Sequence, residues 1–301
     1  MNTREWALLI FTILGQLSVG MMLVLMIVRT FAFNTLSTKQ ASNLTNKPMY
    51  MVVPVMILAM VASLFHLGKV LHVIGAVPNL ATSWMSREVV FGVAFMVLLV
   101  VYAFLVWREI GSESLRTVIG WITAIVGLIY IFCMGMTYML PAEPAWNTAA
   151  TPINFFVTTL LLGVLGGASA LMINHAAMEN DSTTQEFVGR VLRWNAMAGI
   201  ILLGLELIVL PLYMAFLGTQ GTAAIHSLGL MFGSYGAAMV IRLALVVIGA
   251  GIIGASLYRN ASETKQENTW ATLAYSAFVL VLVSEVIGRF IFYAVRFRIG
   301  I

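Results

Sequence analysis

Four ionisable side chains stand inside long apolar stretches, where water cannot stabilise their charge. Glu206 sits in Leu203-Gly204-Leu205-Glu206-Leu207-Ile208, and Arg242 in Met239-Val240-Ile241-Arg242-Leu243-Ala244. Glu285 and Arg289 are four apart in Ser284-Glu285-Val286-Ile287-Gly288-Arg289. At the centre of a lipid-embedded helix each costs about 2.5–3.5 kcal/mol on the insertion scale. Their charges cancel, so one reading is structural: Glu285 pairs with Arg289 one turn away, and Glu206 pairs with Arg242 between helices. The other is that they line a polar cavity or a proton route.

A second constellation has a different chemistry. His66 and Glu88 bracket the stretch His66-Leu67-Gly68-Lys69-Val70-Leu71-His72-Val73-Ile74, which continues through Pro78 to Trp84-Met85-Ser86-Arg87-Glu88. An imidazole titrates near neutral pH and can take a proton from a hydroxyl. A carboxylate beside it can orient the ring or pass the proton to water. Gly68 allows a ring or a backbone to approach closely. Leu67, Val70, Leu71 and Ile74 recur at helical spacing, so a short interfacial helix is expected here as a lid. Trp84 would anchor the polypeptide where it returns to the membrane. An interfacial histidine satisfied by headgroups or water fits the same residues equally well.

These residues need a scaffold, and composition says which kind. The protein has 301 residues, 61% apolar and only 9% Asp, Glu, Lys or Arg. An ordinary soluble domain has roughly 25% charged residues. So little charge rules out a water-soluble exterior, and so much apolar content rules out disorder. Eight apolar runs follow one another: Trp6–Val28, Met49–Leu67, Val89–Trp107, Val118–Leu140, Pro152–Asn174, Trp194–Leu217, Ser227–Leu257 and Trp270–Val295. A bilayer crossing takes about 20 such residues. The first run is too long for a signal segment and is read as the first membrane helix. The seventh is the longest, and Gly229, Gly233 and Gly236 predict a break near its start. The runs are continuous rather than alternating, which excludes a β-barrel.

The fold class is therefore an all-α integral membrane protein: one polytopic domain over 1–301, with eight transmembrane helices in a bundle. Eight crossings put both termini on one side, here called side A. Nine basic residues fall in side-B segments and five on side A. The positive-inside rule then makes side A external, or periplasmic. Most of the half-buried polar groups, including His66, Glu88, Arg242, Glu285 and Arg289, fall in the side-A half.

Several functions are excluded. The net charge is +4, but no basic run with interleaved aromatics appears, so no nucleic-acid partner is expected. The single cysteine, Cys133, cannot supply the thiolates of an iron–sulfur cluster and reads as a small buried hydrophobe. No HExxH, CxxC or carboxylate cluster supports a metal, and no Walker or Rossmann glycine pattern supports phosphate chemistry. His66 with His226 is the one bis-histidine haem arrangement to consider.

At these residues the sequence resembles the membrane-anchor subunits of dimethyl sulfoxide reductase. Glu5-Trp6 followed by Leu8, Ile10, Phe11 and Gly15-Gln16 looks like that family's first helix. His66-Leu67-Gly68 and Trp84-Met85-Ser86-Arg87-Glu88 look like its most recognisable signature. Family members often carry Pro and then Arg after the His-Leu-Gly, where this protein has Val70 and His72. The resemblance implies an inner-membrane anchor that oxidises quinol, menaquinol by expectation, in anaerobic respiration. Its partners would be an iron–sulfur electron-transfer subunit and a molybdenum catalytic subunit. His66, Gly68, Trp84, Arg87 and Glu88 would form the quinol site, with His66 and Glu88 handling the protons and Arg87 binding a quinone oxygen or docking the partner. Quinol would be a bound substrate, with no haem or iron–sulfur cluster in the anchor itself. Two alternatives stand beside it: a proton-coupled transporter using Glu206, Arg242 and Glu285, and a structural anchor without a quinol site.

Overall fold

In lipid, a backbone can satisfy its own polar groups only by hydrogen bonding within a helix or a closed barrel. Each apolar run accordingly closes into a helix. The computed structural model describes residues 3–66, 75, 78–176, 181–260 and 267–299, all helical or in turns and short connections. In sequence order the helices are α1 (Thr3–Thr35), α2 (Thr38–His66), α3 (Trp84–Trp107), α4 (Glu113–Thr137), α5 (Ala150–His175), α6 (Ser182–Thr219), α7 (Thr222–Phe232), α8 (Gly236–Asn260) and α9 (Glu267–Ala294). Eight of these are long and apolar enough to cross a membrane, and α7 is the short exception. Leu67, Val70, Leu71 and Ile74, expected to form the lid helix, lie outside the described residues.

Helices α1 and α5 are the most buried and form the central pair. They cross at Gly20 and Gly163, whose backbones touch so closely that a Cβ on either would collide with the other's main chain. Close backbone approach through small residues is how membrane helices gain packing without a hydrophobic driving force between them. Helices α2, α3 and α4 gather on the α1 flank, and α6, α8 and α9 on the α5 flank. The two ends of the polypeptide emerge together, at side A. Trp6 stacks on Phe290 at 5.8 Å, and Arg296 lies 3.7 Å from Glu5.

The expected break in the seventh run is present: α7 ends at Phe232 and α8 begins at Gly236. Two loops expected from sequence are shorter than their polarity suggested. The stretch 29–48 reads as a side-B loop, yet α1 runs on to Thr35 and α2 starts at Thr38. The reason is Arg29. Its guanidinium is fully buried and donates to Thr45 at 2.8 Å, Asn46 at 2.6 Å and Glu113 at 2.8 Å. The polar residues there face one another rather than water. The stretch 175–193 is likewise mostly helix, because α6 starts at Ser182 with Asp181 as its cap. Hydrogen bonds from the Thr184 hydroxyl and backbone N–H hold the Asp181 carboxyl below its usual range.

Arg29→Met is expected to destabilise the protein by about 2 kcal/mol, since it strands Thr45 and Asn46 while Glu113 keeps Arg116. Arg29→Lys should recover little, because an ammonium cannot span three partners. Thermal unfolding of the purified protein in detergent measures both.

Candidate functional site

Glu88 is placed by the start of α3. The Ser83 hydroxyl accepts from the Ser86 N–H at 3.3 Å, which fixes where the helix begins. Glu88 then falls about 6 Å below the side-A end of α3, on its inward face. It is buried and within hydrogen-bond reach of the Thr137 hydroxyl on α4. Tyr130 and Cys133 of α4 lie in its neighbourhood. The Tyr130 ring enters the space left by two glycines: a Cβ at Gly92 would lie 3.0 Å from the ring, and one at Gly15 would lie 3.0 Å from its hydroxyl. That hydroxyl is buried without a hydrogen-bond partner. A carboxyl and an unpartnered hydroxyl therefore share one corner, near side A.

Trp84 and Arg87 frame this corner without entering it. Trp84 packs edge-on against Phe132 of α4 at 5.7 Å. The Arg87 guanidinium lies 4.1 Å over the Trp84 ring and donates to the carbonyls of Leu80 at 2.9 Å and Ala81 at 2.7 Å. Arg87 thus ties the turn at 78–83 to α3. His66 is the last residue of α2, and its side chain and all of Gly68 lie outside the described residues.

On the opposite flank a second polar cluster forms. Arg242 of α8 pairs with Glu206 of α6 across the helices, as the cancelling charges suggested. The Glu206 and Glu285 carboxyls come within hydrogen-bond reach of one another. The expected Glu285–Arg289 pair is replaced by contacts to other helices. Glu285 accepts from the Thr158 hydroxyl of α5 at 2.5 Å. Arg289 donates to the Gln16 side-chain amide oxygen (Oε1) of α1 at 2.8 Å, and its guanidinium stacks 3.7 Å over the Phe155 ring. Spacing along α9 put the two charges on one face, but partners on α1 and α5 compete for them. Gly288 lets Arg242 lie flat across α9: a Cβ there would sit 2.8 Å from the guanidinium carbon. A cavity of about 60 Å³, lined by Asn154, Thr158, Arg242 and Glu285 among others, adjoins the cluster.

Between the two lies an aromatic and hydroxyl seam. Tyr138 and Tyr293 share a hydrogen bond of 2.8 Å, and Trp146 stacks on Phe292 at 5.1 Å. Sequence reading missed Gln16, Tyr130, Thr137, Thr158, Tyr138 and Tyr293. Gln16 carried a signal, being an amide inside an apolar run. The hydroxyls carried none, since Thr and Tyr are ordinary in membrane helices. Among the described residues no group of three His, Cys, Asp or Glu side chains gathers as a metal would need. The His226 ring lies 4.5 Å from that of Phe297.

Arg242→Met is expected to cost about 3–5 kcal/mol, because it leaves Glu206 buried and uncompensated. Adding Glu206→Gln should return most of that loss. Detergent unfolding of the single and double variants measures the coupling, and a double no more stable than Arg242→Met would contradict the pairing.

Fold and site together define a polytopic helical membrane protein with a buried carboxyl corner near one face and a charged cluster beyond its central helices. The model of the DMSO reductase anchor subunit family (DmsC) matches residues 1–295, and the protein belongs to that family. It is similar to the C subunit of the anaerobic dimethyl sulfoxide reductase of Haemophilus influenzae, 27% identical over 100% of this sequence and 98% of the relative. It is also similar to two Escherichia coli K12 proteins. The YnfH subunit of anaerobic dimethyl sulfoxide reductase is 28% identical over 99% of this sequence and 96% of the relative. The C subunit of anaerobic dimethyl sulfoxide reductase is 25% identical over 99% and 96%. The protein is accordingly a multi-pass protein of the plasma membrane.

Proposed function

We propose that this anchor subunit oxidises quinol, menaquinol in the first instance, at the corner formed by the side-A ends of α2, α3 and α4. It passes the electrons to an iron–sulfur subunit that serves a molybdenum catalytic subunit. The observation that carries this is Glu88: a buried carboxyl about 6 Å below side A, beside Thr137 and an unpartnered Tyr130 hydroxyl.

Oxidation of one quinol releases two electrons and two protons. The electrons leave to the partner subunit. His66, at the end of α2, accepts the two hydroxyl protons one after the other, and Glu88 relays each to side A. The Thr137 hydroxyl, which donates to the Cys133 carbonyl at 3.0 Å, lies within reach of the Glu88 carboxyl, and Arg87 and Trp84 hold the turn above it. The partner docks on side A, where the quinol corner lies, because electron tunnelling needs proximity. By the charge bias this side is external. Tag accessibility at 78–83 tests that orientation, and labelling from the cytoplasm would reverse it.

Family membership places this reading ahead of a proton-coupled transporter built on Glu206, Arg242 and Glu285. The experiment is quinol-dependent turnover of the purified complex carrying His66→Ala or Glu88→Gln, run beside an artificial soluble reductant that bypasses quinol. Loss confined to the quinol assay supports the site. Normal quinol activity in both variants removes it.

A further inference from the structure

The cavity beside Glu285 lies next to a larger space. It shares Leu210, Met231 and Met239 with an apolar groove of about 500 Å³ between α6, α7 and α8. Met231 and Met239 are buried and form its floor, while Phe232 and Val240 at its rim are 65% and 67% exposed. In a bilayer that rim faces lipid, so the groove opens sideways into the membrane. Its volume falls within the 300–1,000 Å³ or so typical of small-molecule pockets.

The groove lies where the helices are irregular. Pro211, inside the unbroken helix α6, lines one wall, and Met231, Phe232 and Gly236 on either side of the α7–α8 break line the other. Irregular backbone at membrane depth is tolerated only where it is buried in protein or lines a cavity. Behind Leu210, Met231 and Met239, which line both spaces, the smaller cavity is lined by polar atoms that lack partners. Arg289 Nε belongs to a residue more than nine-tenths buried, Arg242 Nε is also unpartnered, and Glu285 Oε1 has no neighbour but the Glu206 carboxyl within reach.

We propose that this groove is a second binding site, for a lipid-soluble quinone or quinol. The ring lies in the apolar space and one ring oxygen reaches Arg242 and Glu285. Depth argues for this ligand. Arg242 is about 9 Å below the side-A end of α8. A phospholipid phosphate is held at the headgroup layer outside the roughly 30 Å hydrocarbon core. A quinone head is neutral and dissolves at that depth. Charge agrees: Glu206, Glu285, Arg242 and Arg289 sum to zero, which suits a neutral head better than an anion. Hydrogen bonding agrees as well. A guanidinium N–H donates to a quinone carbonyl, and the Glu285 carboxylate accepts from a quinol O–H. The 60 Å³ polar cavity is too small for a ring but admits an oxygen, and the ring has the 500 Å³ groove. This groove and the Glu88 corner share only a ligand class, and they lie on opposite flanks of the α1–α5 pair.

The test is photolabelling of the assembled complex, in phosphatidylcholine vesicles, with an azido-quinone, followed by peptide mapping. Label is expected on α6 and α8 near Met214 and Met239, falling severalfold in Met239→Trp, which fills the groove, and persisting in Glu88→Gln. Val240→Trp blocks the rim from the lipid side and serves if Met239→Trp fails to assemble. Label confined to α3 and α4 overturns the second site and leaves the Glu88 reading standing. Label on α6 and α8 alone does the reverse. A phospholipid retained in stoichiometric amount, and lost on Met239→Trp, also overturns it.

Discussion

Replacing Glu88 with glutamine is expected to slow quinol oxidation by about 10²- to 10⁴-fold, the range a positioned acid or base contributes. Glutamine keeps the size of the side chain and can still meet the Thr137 hydroxyl. It cannot carry a proton. The surroundings need no charge from Glu88 to fold, because among the described residues no cation pairs with it: Arg87 is turned outward onto Leu80 and Ala81. The complex should therefore assemble normally and accept electrons from a soluble reductant at the wild-type rate. Glu88→Asp shortens the reach by one methylene and should fall between the two. Its pH profile separates proton transfer from mere packing: a packing role lowers the rate equally at all pH values.

Replacing Gly163 with leucine is expected to abolish accumulation of folded protein in the membrane. Any Cβ at this position meets the Gly20 backbone, not the end of a flexible side chain, so nothing can rotate away. Helices α1 and α5 would have to separate, and they are the most buried pair in the bundle. Ordinary overpacking costs about 1–3 kcal/mol. Here main chain meets main chain at the centre of both flanks, so the loss should exceed that range. Gly251→Leu is the control, since a Cβ there meets nothing within 4 Å. Equal membrane levels of the two variants would show that the crossing is not required.

The eight crossings were legible because lipid demands unbroken apolar runs. The α7–α8 break was legible for a related reason: glycines at 229, 233 and 236 stand out in a run too long for one span. The Glu206–Arg242 pair could be anticipated because charges at membrane depth must cancel. What sequence hid was partner choice. Arg29 looked like a loop charge because nothing local shows that Thr45, Asn46 and Glu113 converge on it. Glu285 and Arg289 looked like a pair because helical spacing allows it, but Thr158 and Gln16 arrive from other helices. Of the candidate corner, Glu88 and its motif were visible. Tyr130 and Thr137 were not, because they become neighbours only when α3 packs on α4.

The central claim is that quinol is held at the side-A corner of α3 and α4. It is tested most directly by equilibrium titration of a quinol-analogue inhibitor against the whole purified complex. Wild type, Glu88→Gln and Tyr130→Phe would be compared at one pH. Binding is expected to weaken by about tenfold or more when Glu88 loses its carboxylate, and by a smaller factor when the Tyr130 hydroxyl is removed. Unchanged affinity in both variants, with the complex intact, would contradict it.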